Sequence, residues 1–263
     1  MRNVATHQLA AQGPAAYERY LVPAFFAECA RQLLDLAAPQ PSDQVLDVAC
    51  GTGVVARAAE PLAAAVTGVD LDEDMLAVAR SKSSRVRWLH GDATRLDLPA
   101  HSFDLVACQQ GLQFLPDRAA AVREWRRVLK PGGRIAVAMW RDARFHPQFA
   151  ALSRAFEDHL GPEAGAALRA PFAGPQPTEL RALFADAGFA SVRLRIGLVP
   201  VRFGSVAEMA EHEASATPAA PAFAAAAEET RITIVGELAA ELTDWVDDDG
   251  LTFPLVTWLV NVS

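Results

Sequence analysis

Gly51 and Gly53 bracket Thr52 directly after an apolar run, Val45-Leu46-Asp47-Val48, that itself carries a carboxylate. Two more carboxylates, Asp70 and Asp92, stand where later apolar runs end. Glycine lets the backbone approach a ligand closely, and a helix starting near Val54 offers free N–H groups to an anion. A carboxylate at Asp70 can accept two hydrogen bonds from the vicinal hydroxyls of a ribose. One at Asp92 can accept from an exocyclic amine such as that of adenine. Taken singly, a Gly-x-Gly turn is often only a tight turn. A strand-end aspartate is as often a helix cap, and Asp92 can equally close an Asx-turn. Three such features at successive run ends, in this order, describe a nucleoside site.

These residues need elements to hold them. Strands are predicted over residues 44–48, 65–69, 85–89, 103–108 and 134–140, with helical patterns between. Asp72 can cap a helix that turns Met75, Leu76, Val78 and Ala79 inward. Asp117 can cap another, whose Val122, Trp125, Val128 and Leu129 recur at helical spacing, and Pro131-Gly132-Gly133 stops it. Strands alternating with helices at this spacing mean right-handed crossovers and a parallel sheet. In such sheets ligands bind outside the carboxyl ends of the strands, where Gly51, Asp70 and Asp92 fall.

The flanks complete the expectation. Residues 15–37 read as a helix, 191–203 as a long strand, 205–249 as alanine-rich helix interrupted by Pro218 and Pro221, and 251–262 as a closing strand. The fold class is α/β, doubly wound and Rossmann-like, with a seven-stranded, mostly parallel sheet. A single domain over 1–263 follows: an N-terminal helical lid (1–40), a core (41–203), a helical cap (204–249) inserted between the last two strands, and the final strand (250–263).

With 263 residues and a formal charge of -8, the chain repels phosphate backbones unless it carries a concentrated basic patch. The densest basic group, Arg123, Arg126, Arg127 and Lys130, reads as the solvated face of a helix, so no nucleic-acid partner is expected. No segment approaches the roughly 18 apolar residues of a membrane helix, and residues 1–14 lack the apolar stretch of a signal peptide. Cys29, Cys50 and Cys108 have neither metal-ligand spacing nor an even count. The expectation is a cytoplasmic protein without metal or disulfide, monomeric or homodimeric.

Gly51-Thr52-Gly53-Val54-Val55-Ala56 also fits Gly-x-Gly-x-x-Ala, and Asp70 lies near the dinucleotide-fingerprint offset, so an NAD(P)-dependent oxidoreductase is a rival. Asp47 disfavours it, because dinucleotide binders usually keep that strand apolar. No Ser/Tyr/Lys or His/Asp set for hydride handling stands out downstream either.

The run Val45-Leu46-Asp47-Val48-Ala49-Cys50-Gly51-Thr52-Gly53 resembles the glycine-rich motif of class I S-adenosylmethionine-dependent methyltransferases. Gly68-Val69-Asp70-Leu71-Asp72 through Met75-Leu76 is similar to their second motif, and Gly91-Asp92-Ala93 with Leu98-Pro99 to the third. Phe103-Asp104-Leu105-Val106 followed by Leu112 to Asp117 resembles the fourth, and Leu129-Lys130-Pro131-Gly132-Gly133 the turn before strand five. The subgroup it most resembles holds the ubiquinone- and menaquinone-biosynthesis enzymes and many bacterial small-molecule methyltransferases. Ala49 departs from the family, which often has glycine there; alanine is the smallest replacement.

The resemblance implies S-adenosylmethionine as cofactor, S-adenosylhomocysteine as product and a small, partly apolar acceptor. Backbone from Ala49 through Cys50 and Gly51 to Gly53 would hold the methionyl part, with Asp47 orienting that loop or the ammonium group. Asp70 would take the ribose, Leu71 and Met75 the adenine face, and Asp92 with the Ala93 amide its edge. Gln109 and Gln110 would sit beside the sulfonium, and Tyr20 would close over the methionyl end. Transfer is an in-line displacement, so the protein mainly aligns the nucleophile and excludes water. Gln113 could orient the acceptor, and His146 follows the fifth strand, whose loop borders the acceptor pocket. Trp140, Phe145, Phe149, Phe172, Met209 and Trp245 line that pocket or simply pack the core. A protein of this fold that uses the cofactor without methylating, as a cyclase or decarboxylase, is the other alternative.

Overall fold

The computed structural model describes residues 13–263. They gather into two compact units, each built from three stretches of chain. The sheet unit comprises Ala27–Trp140, Gly174–Gly197 and Thr257–Ser263; the helical unit comprises residues 13–26, Arg141–Ala173 and Leu198–Val256. Both are interleaved along the sequence, whereas the expected lid, core and cap followed one another in order.

Strands β1 (Gln44–Val48), β2 (Ala65–Asp70), β3 (Arg87–His90), β4 (Phe103–Gln109), β5 (Leu129–Trp140), β6 (Val192–Phe203), β7 (Val246–Asp247) and β8 (Gly250–Val262) form one sheet. Its order is β3-β2-β1-β4-β5-β8-β6, with β7 paired to β8. The seven expected strands are present, and the two-residue β7 is an eighth that the alanine-rich stretch concealed. The pairs from β3 to β5 are parallel and β8 lies antiparallel to β5. Reversal of strand order at β1/β4 opens the crevice in which this fold holds ligands.

One row across the sheet unit, Leu46, Val106, Ile135 and Val262, has no solvent exposure and anchors the main core. The adjoining row is small where it meets Asp47: Gly68 on one side, Ala107 and then Ala136 on the other. Bulk thus lies on one face of the sheet and room for a carboxyl on the other.

Two local expectations are corrected. β5 starts at Leu129, not 134, because Pro131-Gly132-Gly133 is looped out in a register shift between Phe103 and Leu105 of its partner. The basic cluster is not merely a solvated face. Arg127 donates to the carbonyls of Leu96 and Leu98 at 2.9 and 2.8 Å and pairs with Glu124, which itself accepts from Leu96 N. Arg126 covers the Phe189 ring, and Lys130 pairs with Asp104 at 2.7 Å. Helix Arg118–Val128, capped by Asp117 as predicted, thereby clasps the loop after β3.

In the helical unit the 205–249 stretch holds three α-helices, Val206–Ser215, Ala220–Ala225 and Glu228–Glu241, then a short turn of helix, Thr243–Trp245, and β7; Pro218 lies between the first two and Pro221 in the first turn of the second. Rings carry much of the packing: Phe149 contacts Phe172 and Phe253, and Phe253 contacts Phe203. Among the described residues no helix is long and apolar enough to cross a membrane.

Candidate functional site

The turn after β1 is strained into place. Ala49, Gly51 and Gly53 all have positive φ, +53°, +55° and +83°. For alanine that region is sparsely populated and costs about 1 kcal/mol or more. Room for the Ala49 methyl comes from Gly111, where a Cβ would stand 2.6 Å from it. The alanine at 49 thus requires a glycine at 111, a coupling the sequence did not announce.

Gly53 opens the helix Val54–Ala59, and a Cβ there would meet the Trp88 ring at 2.2 Å. Trp88 lies opposite Gly68 in the β2–β3 register, and a Cβ on Gly68 would meet the same ring at 2.5 Å. An indole laid over a neighbouring strand's glycine replaces the packing which that glycine lacks. Trp88 is fixed by its own N–H, which donates to Ser83 O at 2.9 Å. It is therefore the side wall of the glycine turn. A Cβ at Gly51, by contrast, would meet no atom within 4 Å, so the turn is open there.

Two carboxyls hold this turn. Asp47 is 1% exposed, and its Oδ2 accepts Ala56 N at 2.9 Å. Its Oδ1 is buried with no hydrogen-bond partner among the described residues. Burial, with Asp70 close enough to repel, pushes the Asp47 carboxyl up to about 8 despite the Ala56 bond. Asp70 ends β2; its Oδ2 accepts Gly51 N at 2.7 Å and its Oδ1 accepts Asp72 N at 2.9 Å. Burial raises Asp70 as well, against those backbone bonds. Leu71 N bonds to the same carboxyl, and a carboxylate accepts about four hydrogen bonds, so one position is left for a further donor. Thr52 Oγ1 is also buried and unpartnered among the described residues.

The remaining predicted residues of the sheet unit lie around this turn. Leu71 is exposed, and its carbonyl accepts from His90 Nε2 at 3.0 Å; Met75 is half-buried one turn into the helix capped by Asp72. Asp92 makes the Asx-turn that its sequence allowed, accepting Thr94 N and Thr94 Oγ1, both at 2.7 Å. It lies on an open groove of about 730 Å³ with Val69, Leu89 and Gly91. The buried Ala93 carbonyl accepts the Trp125 indole N–H at 3.2 Å, a further clasp from the helix after β4. Gln109, Gln110 and Gln113 are all buried. Gln110 Oε1 accepts Trp140 N at 2.8 Å and Gln113 Nε2 at 3.0 Å, and its Nε2 points at Cys29 Sγ 3.8 Å away. Its amide ties β4 to β5 rather than facing outward. The three cysteines are free and buried, which pushes Cys29 and Cys108 up to about 12 and Cys50 well above its ordinary value. None is a nucleophile near neutral pH.

Tyr20 and His146 belong to the helical unit. Tyr20 stacks on His212, and His146 is fully buried beside Phe172, ring centroids 4.6 Å apart. Burial pushes the His146 imidazole down to about 4, against hydrogen bonds to the backbone of Arg141 and Val256. It is a neutral ring near pH 7.

The arrangement suits a ligand with cationic and donor groups. The glycine turn is open at Gly51, and beneath it an unsatisfied carboxyl oxygen and, at the next strand end, a carboxyl with one position left can take hydrogen bonds from a ligand. The ammonium and ribose hydroxyls of S-adenosylmethionine supply these, so the residues fit that cofactor. An anionic bridging group offers the Asp47 and Asp70 oxygens no donor.

Comparison with known proteins agrees. Residues 46–137 match the family described as "Methyltransferase domain". Over 170 residues the chain is 34% identical to demethylmenaquinone methyltransferase of Staphylococcus aureus (strain JH9), covering 58% of this chain and 70% of that protein. A putative methyltransferase from an antibiotic biosynthesis pathway of Anabaena variabilis shares the fold at a TM-score of 0.64 and 17% identity, over 90% of this chain and 96% of that one. Phosphoethanolamine N-methyltransferase 2 of Haemonchus contortus, solved with phosphomonomethylethanolamine and S-adenosylhomocysteine, aligns at a TM-score of 0.60 and 21% identity, covering 96% of this chain and 57% of that one.

Proposed function

The chain belongs to the S-adenosylmethionine-dependent methyltransferases, and from that premise we propose that its acceptor is a small, partly apolar molecule. The observation that carries the cofactor assignments is the Asp47/Asp70 pair around an open glycine turn, with Asp47 Oδ1 buried and unpartnered. When bound, the cofactor supplies a methyl carbon activated by a sulfonium.

The chain's own residues do the binding and aligning. Backbone groups from Ala49 through Cys50 and Gly51 to Gly53 receive the methionyl part, Asp47 the ammonium and Asp70 the ribose hydroxyls. Leu71 and Met75 cover the adenine, and Ala93 N with Asp92 read its edge. Gln109 borders the sulfonium, while Gln110, tied to Trp140 and Gln113, positions its neighbours. Gln113 orients the acceptor. Tyr20 and His146, expected at the methionyl end and the acceptor, both lie in the helical unit, where His146 is a neutral ring and no base near pH 7.

The first experiment titrates S-adenosylhomocysteine into the purified protein by calorimetry, with NADH in parallel. Micromolar binding of the first and none of the second is expected; binding of NADH alone would overturn the assignment of Gly51, Gly53 and Asp70. Screening of acceptors then follows release of S-adenosylhomocysteine. Product formed without that release would mean non-methylating chemistry.

Asp70→Ala removes both the ribose acceptor and the bond to Gly51 N. Loss of about 1–3 kcal/mol for a charged hydrogen bond predicts S-adenosylhomocysteine binding weaker by roughly 10- to 100-fold. An unchanged Kd would take Asp70 out of the site.

A further inference from the structure

The polarity of the Gln113 amide is set from β5. The oxygen and nitrogen ends of a glutamine are nearly equal in size, so packing does not decide which way the amide faces; its hydrogen bonds do. Trp140 N is a main-chain N–H and can only donate, so the end of the Gln110 amide that meets it at 2.8 Å is the oxygen. The same oxygen stands 3.0 Å from the Gln113 amide, which must therefore turn its NH2 that way and its own oxygen to the other side. Reversing Gln110 would set its NH2 against the Trp140 N–H and the Gln113 NH2 together, and buried donors facing donors are strongly disfavoured. The Gln110 NH2 is left to Cys29 Sγ at 3.8 Å, a weak acceptor that holds it without competing.

The rest of Gln113 is held as firmly. Arg118 grips the turn Leu112–Phe114 through the carbonyls of Leu112 at 3.1 Å and Gln113 at 2.8 Å. A Cβ at Gly174 would stand 3.3 Å from the Gln113 Cβ, so the chain there passes close beside it. Gln110 itself has a φ of +54°, in the left-handed region, directly before the Gly111 that makes room for Ala49. Such strain persists only where the surroundings over-determine it, and it gathers at functional sites.

We propose that Gln110 is a positioning residue of the acceptor site. Anchored by the Trp140 N–H, it holds the Gln113 amide with its oxygen turned away, so the site selects an acceptor that presents an O–H or N–H there. The inference rests on the reading of Gln113 as the residue that orients the acceptor. An amide oxygen accepts two hydrogen bonds and serves a hydroxyl or a primary or secondary amine; an ether, ketone or tertiary amine brings it no donor.

The first test needs no acceptor. In NMR spectra of the isotope-labelled full chain, the Gln113 side-chain NH2 is assigned by its loss in Gln113→Leu. It should show one proton shifted downfield and exchange with solvent about tenfold more slowly than in Gln110→Met, the worth of one buried hydrogen bond. Gln110→Glu, whose carboxyl can still accept from Trp140 N and Gln113, should keep both features. An unchanged Gln113 signal in Gln110→Met, or the same loss in Gln110→Glu, overturns the proposal. The second test uses an acceptor from the S-adenosylhomocysteine-release screen. Gln110→Met should lower kcat/KM roughly tenfold and Gln110→Glu should recover most of it. In the unmodified chain, replacing the acceptor's O–H or N–H hydrogen by methyl should weaken its binding about tenfold, and Gln113→Leu should erase that preference. Equal binding of the two compounds by the unmodified chain overturns the selection, whether or not Gln110→Met folds. An unchanged kcat/KM in Gln113→Leu strikes the underlying reading of Gln113, while the amide spectra still decide whether Gln110 sets its polarity.

Discussion

Gly53→Val is expected to abolish measurable S-adenosylhomocysteine binding and to lower stability by about 3–5 kcal/mol, as the sum of backbone strain and overpacking. Two independent penalties act at this position. The φ of +83° is a region that a β-branched residue hardly enters. The new Cβ would stand 2.2 Å from the six-membered ring of Trp88, whose position is fixed by its bond to Ser83. The strain is relieved only by moving the turn or the indole, and the turn is the proposed seat of the cofactor. Trp88→Ala placed on top should recover part of the stability, since the collision goes while the φ penalty stays. Gly51→Val is the control: φ is again positive, yet its Cβ meets nothing within 4 Å. That variant should carry the φ penalty without the collision, so it should be less destabilised than Gly53→Val yet still lose binding, because its side chain occupies the turn's opening. Calorimetric titration and thermal melts of the set decide it. Unimpaired binding by Gly53→Val would mean that the turn is not the seat.

The second large effect is on pH. Asp47 keeps its proton up to about 8, whereas a carboxyl in the unfolded chain ionises near 4. Between those values the folded protein holds more protons than the unfolded one, so the group's contribution to stability falls as pH rises through the window and is level above it. Cofactor binding runs the other way. An ammonium against Asp47 favours the ionised carboxyl, so below about pH 8 binding expels a proton. S-adenosylhomocysteine affinity should therefore climb by up to about tenfold per pH unit from roughly 6 to 8, then level off. Calorimetry in buffers of different ionisation enthalpy should count close to one proton released at pH 7. Asp47→Asn should bind roughly 10- to 100-fold more weakly at pH 8 and show a flatter profile. A flat profile in the unmodified chain would remove Asp47 from contact with the ammonium.

The sheet was legible because its cues are local. Alternating apolar runs, Asp72 and Asp117 as caps, and glycines at the first strand's end each read over a few residues. The carboxylates at successive strand ends, from which the proposed cofactor seat is read, are local cues of the same kind. Hidden were features that depend on register between distant segments. Trp88 matters because it faces Gly68 across two strands, and Gly111 because it faces Ala49 across a crossover. Neither pairing has a signature along the chain. Gln110 looked like a ligand contact from its place after β4, yet its amide spans β4, β5 and the Gln113 turn.

The position of β8 bears on how the chain is made. It lies between β5 and β6 in the sheet although it is translated after both. As the nascent chain emerges, β1 to β5 can pair in turn, but the outer edge of β5 stays open until Thr257–Val262 arrives from the ribosome. That edge includes Ile135, Val137 and Met139, fully covered in the finished fold and a ready template for foreign strands before it. β6, synthesised about sixty residues earlier, must wait without its partner as well. The β5 edge is therefore open to foreign strands from the emergence of β5 until that of β8, and a ribosomal stall within that interval would prolong the exposure.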